Sequence, residues 1–414
     1  MTLSLVLPYL NITYEGVHLS FNNIYGLLLL AFIYDFKIKH SYKITFYLFR
    51  PFLFLYIGLI ILIPFQSGMP VINMILGWIV NIINGFIVSF VISNLLLYYP
   101  NATKYFHYAI LSVIAIALFY GTFLMFWMES INPYQILMAT INDVNLEENY
   151  YEITDDRIFG RISSVFESPQ AYGFFLTMSF IYLLAMWRNI PKLIVILLDI
   201  LLFINIIGCG VRTAIATTLV CAAFYFIKNI SPKMILSLIL LGTVCMIAIS
   251  QSRWLEQYIN STVNVKKTED TGGSSVGMRI IQFDACLDEI SDCFIQGKGY
   301  GWHGYYRETK GSHPIILAFE SLLFMVLCDC GLVGLIIWSA FVFLFVKRAK
   351  GQSKTYIVMT IIAYLTYTLI TGDYGYMRYF TLFYVLLYFG INNMTDENKS
   401  KDYRILSTSV SSNP

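Results

Sequence analysis

The chain has 414 residues, of which 57% are hydrophobic and only 13% are charged, and its mean hydropathy is +0.66. This composition excludes a soluble enzyme with one large core and is typical of a polytopic membrane protein. The net charge is +2, and the sequence has no basic, aromatic-interleaved soluble surface on which nucleic acid could bind. The N-terminus lacks a basic region and a small-residue cleavage site, so we expect no cleavable signal peptide.

Long apolar stretches recur along the chain, and a helix that crosses a bilayer needs about 20 mostly apolar residues. We therefore predict an all-α integral membrane protein, a single polytopic domain over residues 1–414 with about eleven (10–12) transmembrane helices. Pro314–Leu327 is a candidate for a further full or partial span. The candidate spans are Val17–Tyr34, Thr45–Ile63, Val71–Leu97, Tyr105–Trp127, Pro169–Trp187, Lys192–Gly208, Thr213–Ile227, Met234–Ser250, Gly331–Val346, Tyr356–Ile370 and Tyr379–Ile391.

The lysines and arginines predict the orientation, because cytoplasmic loops carry an excess of positive residues. With the lysine-rich loops and the tail 393–414 in the cytoplasm, two extracytoplasmic loops remain, at 128–168 and 251–314. The larger loop contains a predicted amphipathic helix, with acidic residues at Asp284, Asp288 and Asp292 on the face away from its apolar residues. Those apolar residues, at helical spacing, are Ile280, Phe283, Leu287, Ile290 and Phe294.

On this orientation the cytoplasmic cations are mostly lysine and the exterior cations mostly arginine. A topology signal needs only charge, whereas bidentate binding of phosphate needs the planar guanidinium group. Because charge is costly beside the hydrocarbon core, arginines at the mouths of spans indicate an anion at the membrane surface. The alternative is that they touch lipid head groups or pair with nearby acids. These arginines are Arg157, Arg161, Arg212, Arg279 and Arg378.

Five such groups facing one cavity could hold a pyrophosphate and stabilise it as it leaves during glycosyl transfer from a lipid diphosphate. An acceptor hydroxyl also needs a base or an orienting hydrogen-bond acceptor. The candidates are His313, Glu320 and Asp329, and the two acids stand out because they lie in an apolar stretch. A histidine at a loop end is more often a capping or solvated residue than a catalyst.

The stretch "GKGYGWHGYY" contains Gly299, Gly301 and Gly304 in a formal dinucleotide-binding pattern. No strand precedes it and no β–α–β unit surrounds it, so this interpretation is excluded. Its glycines and aromatic residues suit a loop whose rings stack on sugars, with an interfacial aromatic belt as the alternative. The candidate sugar-binding residues are Tyr300, Trp302 and Tyr305.

The seven cysteines do not form a recognisable framework. Cys328 and Cys330 lack both the spacing and the histidines of a metal site. Cys286 and Cys293 would be about 10 Å apart on one helix, too far for a disulfide. We therefore expect no metal, no cofactor and no redox chemistry.

Several short motifs follow one another in a fixed order. They are Arg-x-x-Ser-x-Phe-x-x-Pro-x-x-x-Gly at 161–173, "VRTA" at 211–214, Arg279 before the amphipathic helix, "GKGYG" at 297–301, and "ES" at 320–321 ahead of "GLVG". In their order and loop placement, over about residues 155 to 340, they resemble the polytopic O-antigen polymerase and ligase superfamily.

The resemblance implies an enzyme of the bacterial inner membrane that works at the periplasmic face without metal or nucleotide. Its partners would be oligosaccharides linked to undecaprenyl pyrophosphate, membrane lipid and a chain-length regulator. Arginines bind diphosphates in that family, and the matching positions here are Arg161, Arg212 and Arg279.

One departure separates the two branches of the superfamily. Ligase-type members commonly carry His-Asn where this chain has Glu320 and Ser321, and the nearest histidine is His313. This favours a polymerase over a ligase, and Glu320 over His313 as the base. A third hypothesis is a flippase, but a transporter should carry charges at mid-membrane within an inverted repeat, whereas here the arginines cluster at one face and no repeat is seen.

Overall fold

The computed structural model describes residues 11–14, 17–20, 25–32, 34, 44–127, 132–142, 161–187, 189–229, 276–317, 319, 321–349, 353–372 and 374–391. This part of the chain is helical apart from one short hairpin and the connecting turns. The helices are α1 (25–32), α2 (Arg50–Leu62), α3 (Val71–Tyr98), α4 (Ala102–Trp127), α5 (Pro133–Asn142), α6 (Pro169–Met186), α7 (Lys192–Gly208), α8 (Arg212–Asn229), α9 (Val276–Glu289), α10 (Trp302–Lys310), α11 (Leu322–Arg348), α12 (Lys354–Ile370) and α13 (Met377–Ile391).

Four of these helices, α3, α4, α6 and α11, have the length and apolar composition to cross a membrane. Helices α2, α12 and α13 are shorter and equally apolar in character. The protein is therefore a helical membrane protein, as predicted, while the number of eleven spans stays a prediction. The candidate span Met234–Ser250, the tail 393–414 and parts of both exterior loops lie outside the described residues.

The first candidate span, Val17–Tyr34, is wrong at its start. Val17–Ser20 is a β-strand that pairs antiparallel with Asn11–Tyr14, and helix α1 covers only residues 25–32. In the sequence of the second strand, apolar and polar residues alternate, which favours a strand. An average of hydropathy along the chain does not detect this period of two.

The predicted amphipathic helix exists as α9, but it ends at Glu289, before Phe294. Its buried face includes Gln282 and Cys286, while Ile280 of the predicted apolar stripe is 59% exposed. The predicted stripe is therefore borne out only in part, because Phe283 packs against the core and Ile290, just after the helix, is fully buried. The buried face is fixed by tertiary contacts, including a hydrogen bond from the Gln282 amide to a backbone carbonyl.

The helices pack in pairs, with α2 against α11, α8 against α12 and α4 against α7. Stacked and edge-to-face aromatic rings fill the interior, and the ring of Phe52 lies 5.0 Å from that of Phe341 and 5.4 Å from that of Phe345. The outer faces expose large apolar side chains such as Leu193 and Phe203. Exposed apolar surface of this kind is expected where lipid instead of water surrounds a helix.

Helix α11 breaks at Gly331, whose φ of 61° and ψ of −157° are not helical. A break of this kind leaves backbone groups without helical partners. The turn 294–299 supplies the missing partners through four backbone hydrogen bonds. The bonds run from Leu332 N to Phe294 O (2.9 Å), from Val333 N to Ile295 O (3.1 Å), from Lys298 N to Cys328 O (2.8 Å) and from Gly299 N to Asp329 O (3.0 Å).

The glycines of "GKGYG" make this insertion possible. A Cβ on Gly297 would lie 2.5 Å from the backbone nitrogen of Gly331, and the φ of Gly297 is +72°. The φ of Gly301, the residue before α10, is +85°. The motif therefore serves a close approach of backbone to backbone, not a tight approach to a ligand.

The break also explains where the predicted span Gly331–Val346 began. Counted from Leu332 to Arg348, the second half of α11 is about 25 Å long at ~1.5 Å per residue. This length nearly matches the hydrocarbon core of about 30 Å. The part of α11 after the break therefore approaches the length of a span, and its last turn carries the basic residues Lys347 and Arg348.

The close approach at Gly297 leads to a first prediction. We expect Gly297→Ala to lower the thermal unfolding midpoint of the purified protein in detergent, because its positive φ alone costs a residue with a Cβ about 1–3 kcal/mol. The clash with Gly331 adds to this cost.

The matched control is Gly304→Ala. This glycine lies three residues after the motif, inside α10, and a Cβ there meets nothing within 4 Å. The control should be neutral or stabilise the protein by up to about 1 kcal/mol. Equal midpoints for the two variants would show that the inserted turn is not held as described.

Candidate functional site

The segment 161–168 leads from the first exterior loop into α6, and its motif residues hold it in place. Phe166 is fully buried and stacks on Tyr172 at 5.3 Å between ring centroids. Ser168 is the N-cap of α6 and accepts a hydrogen bond from the Ala171 amide at 3.1 Å, and Pro169 occupies the first helical position. The phenylalanine and proline of the motif, together with Ser168 between them, therefore have structural roles that help to fix the position of Arg161.

Arg161 and Arg212 flank the same turn. The amide of Ile162, next to Arg161, donates to the carbonyl of Gly208 at 3.2 Å, and α8 begins at Arg212. Between them lies Cys209, where burial raises the pKa of the thiol to about 12 and the charge of Arg161 acts in the opposite direction. The structure therefore brings these two arginines, predicted from separate motifs, to one place.

Arg378 joins the segment from the other side. Its guanidinium donates to Glu167 Oε1 at 2.9 Å and to the Tyr379 hydroxyl at 2.8 Å. The side chain of Arg378 is 15% exposed and that of Glu167 is 37% exposed. In this arrangement Arg378 fixes the segment that carries Arg161.

Arg279 lies on α9, where its Nη1 donates to Gln282 Oε1 at 3.2 Å and its guanidinium faces the ring of Phe324 at 6.0 Å. Phe324 is in the first turn of α11, which Ser321 caps. The hydroxyl of Ser321 in turn donates to the carbonyl of Leu369, near the end of α12, at 2.7 Å. Arg279 is thereby connected to the end of α12.

The same end of α12 is connected to Arg212. Thr371, directly after α12, lies 3.1 Å from the hydroxyl of Thr213, which follows Arg212. The segments that carry Arg161, Arg212, Arg279 and Arg378 therefore meet around the end of α12. Arg157 and the candidate base Glu320 lie outside the described residues.

His313 has a fixed hydrogen-bonding arrangement. Its Nδ1 accepts from the amides of Ile315 at 3.2 Å and Ile316 at 3.0 Å, and its Nε2 lies 3.6 Å from Glu289 Oε2. An Nδ1 that accepts two hydrogen bonds carries no proton, so Nε2 carries the proton of the neutral ring. In this tautomer His313 holds the turn 313–317 and has no basic nitrogen to offer a substrate.

The candidate sugar-binding aromatics are mostly interior. Tyr300 is 1% exposed and its ring lies 5.5 Å from that of Tyr374, while Trp302 is 4% exposed. Tyr305 is half-buried. Of the three, only Tyr305 presents enough surface for a sugar to stack without a rearrangement of the core.

The carboxylate of Asp329, placed at the break of α11, is fully buried and accepts four hydrogen bonds. His303 was not predicted as a site residue, although its amide and its ring both bind Asp329 and its side chain is 15% exposed. No sequence pattern pairs two residues 26 positions apart across a helix break. Oδ2 of Asp329 accepts from Gly301 N (3.0 Å), His303 Nδ1 (2.9 Å) and the Tyr374 hydroxyl (3.2 Å). Oδ1 accepts from His303 N (3.0 Å).

A second charged group lies beside this pair. Lys298 donates to Glu289 at 2.9 Å and faces the ring of Trp302 at 5.4 Å. Burial acts to lower the pKa of Lys298, but the hydrogen bond and charge of Glu289 raise it on balance. Lys298 therefore stays charged and ties the inserted turn to the end of α9. Among the described residues, no group of three or more His, Cys, Asp and Glu is arranged to hold a metal ion.

These features define a helical membrane protein in which four arginine-bearing segments meet around the end of α12. A family model described as O-antigen ligase matches residues 197–339. The match covers Arg212, Arg279, the "GKGYG" turn and Asp329, and it confirms the resemblance to the O-antigen polymerase and ligase superfamily. Over these residues the chain is similar to a family of membrane enzymes of the glycosyltransferase type. No curated protein matches the chain.

A double-mutant cycle tests whether Arg378 supports the segment 161–168 through Glu167. We expect Arg378→Ala and Glu167→Ala to be non-additive in denaturant unfolding, with a coupling energy of about 0.5–1 kcal/mol for this partly exposed pair. The same cycle on Lys298 and Asp292, which are 3.9 Å apart with Asp292 74% exposed, should give no measurable coupling. Additive effects at Arg378 and Glu167 would show that the ion pair does not hold the segment.

Proposed function

We propose that this protein is a polymerase of lipid-linked oligosaccharide repeat units, of the kind that build O-antigen or capsular polysaccharide. It transfers a glycan from undecaprenyl pyrophosphate to the incoming lipid-linked repeat unit, at the periplasmic face of the bacterial inner membrane. The observation that carries this proposal is the meeting of four arginine-bearing segments around the end of α12. A lipid diphosphate is the anion that such a site at a membrane surface fits best.

The arginines supply electrostatic stabilisation. As the bond between the anomeric carbon and the pyrophosphate breaks, negative charge grows on the leaving oxygen, and guanidinium groups already in place stabilise it without reorganising. In this proposal Arg161, Arg212 and Arg279 contact the diphosphate, joined by Arg157, and Arg378 contributes by holding Glu167. No metal is required, because the arginines neutralise the leaving group.

The sequence proposal for the base remains Glu320, in register with the histidine of ligase-type members, with His313 as its rival. The hydrogen bonds at His313 favour a structural role for that residue. The further role proposed for Tyr305 is to face the sugar of a bound repeat unit.

A ligase that moves glycan onto the lipid A core is the second candidate, and the description of the matching family model favours it. Surface glycan from a deletion strain, resolved on a gel, separates the two. A single repeat unit on each core would identify a polymerase, whereas cores that carry no glycan would identify a ligase or a flippase.

The orientation can be tested with two matched lysines. Lys310 of α10 and Lys104 of α4 are both exposed, and each faces a tyrosine ring, at 5.1 Å and 5.8 Å respectively. We expect an impermeant thiol reagent to label Lys310→Cys but not Lys104→Cys in intact cells whose outer membrane is permeable to it. The parent chain corrects for its own cysteines, and both variants should react after lysis. The reverse pattern in intact cells would invert the proposed topology.

The diphosphate site is tested by replacing Arg161, Arg212 and Arg279 with lysine one at a time. Lysine keeps the charge and loses the bidentate geometry, so each variant should polymerise about tenfold to a hundredfold more slowly, since a hydrogen bond to a charged group contributes about 1.5–3 kcal/mol. The control is Arg50→Lys, at the exposed start of α2, which should make normal polymer. Wild-type polymer from all three site variants would contradict bidentate binding.

A further inference from the structure

His303 and Asp329 form a hydrogen-bonded pair at the break of α11. We propose that His303, in place of the sequence candidate Glu320, is the catalytic base, which accepts the proton of the acceptor hydroxyl, and that Asp329 is the positioning residue that orients its ring. This role rests on the proposed glycosyl transfer. It is assigned from contacts between the inserted turn, the break of α11 and the turn before α13.

The hydrogen bonds determine which nitrogen of His303 is basic. Its Nδ1 lies 2.9 Å from Oδ2 of Asp329. A carboxylate only accepts hydrogen bonds, so Nδ1 carries the ring proton and Nε2 carries the lone pair of the neutral imidazole. A base of this kind differs from His313, in which the same reasoning places the proton on Nε2.

Asp329 is itself held rigidly, which a residue that orients a base requires. Its carboxylate is fully buried and also accepts from the backbone amides of Gly301 and His303 and from the Tyr374 hydroxyl. These donors satisfy the negative charge and fix its direction. A buried carboxylate next to an imidazole also stabilises the imidazolium that forms when the ring takes up a proton.

The ring of His303 lies between two aromatic side chains, Tyr374 and Phe319. Its ring centroid is 5.6 Å from that of Tyr374, and Arg378 follows four residues after Tyr374 in the chain. On the other side the ring of Phe319 lies 6.3 Å away, next in sequence to the candidate base Glu320. The imidazole is therefore set between the two segments that the proposed function already uses.

In the proposed step, the acceptor oxygen forms a bond to the anomeric carbon of the donor sugar, while the bond from that carbon to the pyrophosphate oxygen breaks. The electron pair of the broken bond leaves with the lipid pyrophosphate, and the hydroxyl proton passes to Nε2 of His303. The imidazolium then returns the proton to water, so no oxidant, reductant or metal takes part.

The test uses the full-length purified enzyme with lipid-linked repeat units. His303→Asn retains an amide N–H in the place of Nδ1, which preserves the contact with Asp329 and removes Nε2. We expect its single-turnover rate to fall by about 10²–10⁴. Donor affinity and the thermal midpoint should stay close to wild type, which a merely structural role would not predict.

A matched control makes the same substitution at His107, a buried histidine of α4 whose Nδ1 lies 2.6 Å from the Tyr182 hydroxyl. His107→Asn should turn over normally. In a second variant, His303→Ala, added imidazole should restore part of the rate, since a free base can occupy the vacated space. A normal rate in His303→Asn, or a slow His303→Ala that imidazole does not accelerate, would overturn the role of His303 alone. A wild-type enzyme that joins no repeat units would overturn the proposed function, and this role with it.

Discussion

The break of α11 at Gly331 determines much of the geometry around the candidate site. A buried backbone group left without a partner costs about 1–3 kcal/mol, and the turn 294–299 prevents this cost through four hydrogen bonds to the backbone on both sides of the break. The turn is therefore confined to one position. It continues into Gly301 and His303, whose amides bind the carboxylate of Asp329 at the same break. One irregular residue in a membrane helix thus sets the positions of a loop, a helix start and an imidazole.

Membrane topology explains how arginines distant in sequence come to share a site. Successive spans return to the same two surfaces, so residues at exterior helix ends lie in one layer whatever their separation along the chain. Within that layer, lateral packing decides which ends meet. Here the end of α12 joins two of these helix ends. Thr371 contacts Thr213 beside Arg212, and the carbonyl of Leu369 accepts a hydrogen bond from Ser321 at the start of α11.

The sequence predicted the helices well because lipid requires long apolar segments, and most candidate spans in the described part of the chain are helical. The prediction failed where the structure depends on a short alternating pattern or on tertiary contacts. The strand Val17–Ser20 depends on alternation, and the buried face of α9 depends on contacts with its neighbours. The motif arginines were found as chemical types, but their convergence required the packing around α12. The sequence did not predict His303 because its partner Asp329 is 26 residues away in the chain. His313 was predicted instead, because it lies close to Glu320 in the sequence.

The proposed base also bears on the departure at residues 320–321. Ser321 is fully buried, caps α11 and donates to the carbonyl of Leu369, so its side chain has a structural role. Glycosyl transfer needs a basic atom near the arginines, but it does not require that atom to come from one particular segment. Helix α10, which follows the inserted turn, presents a histidine whose tautomer Asp329 fixes. A chain without the histidine of ligase-type members at residue 320 can therefore keep the chemistry while taking its base from the helix that follows this turn.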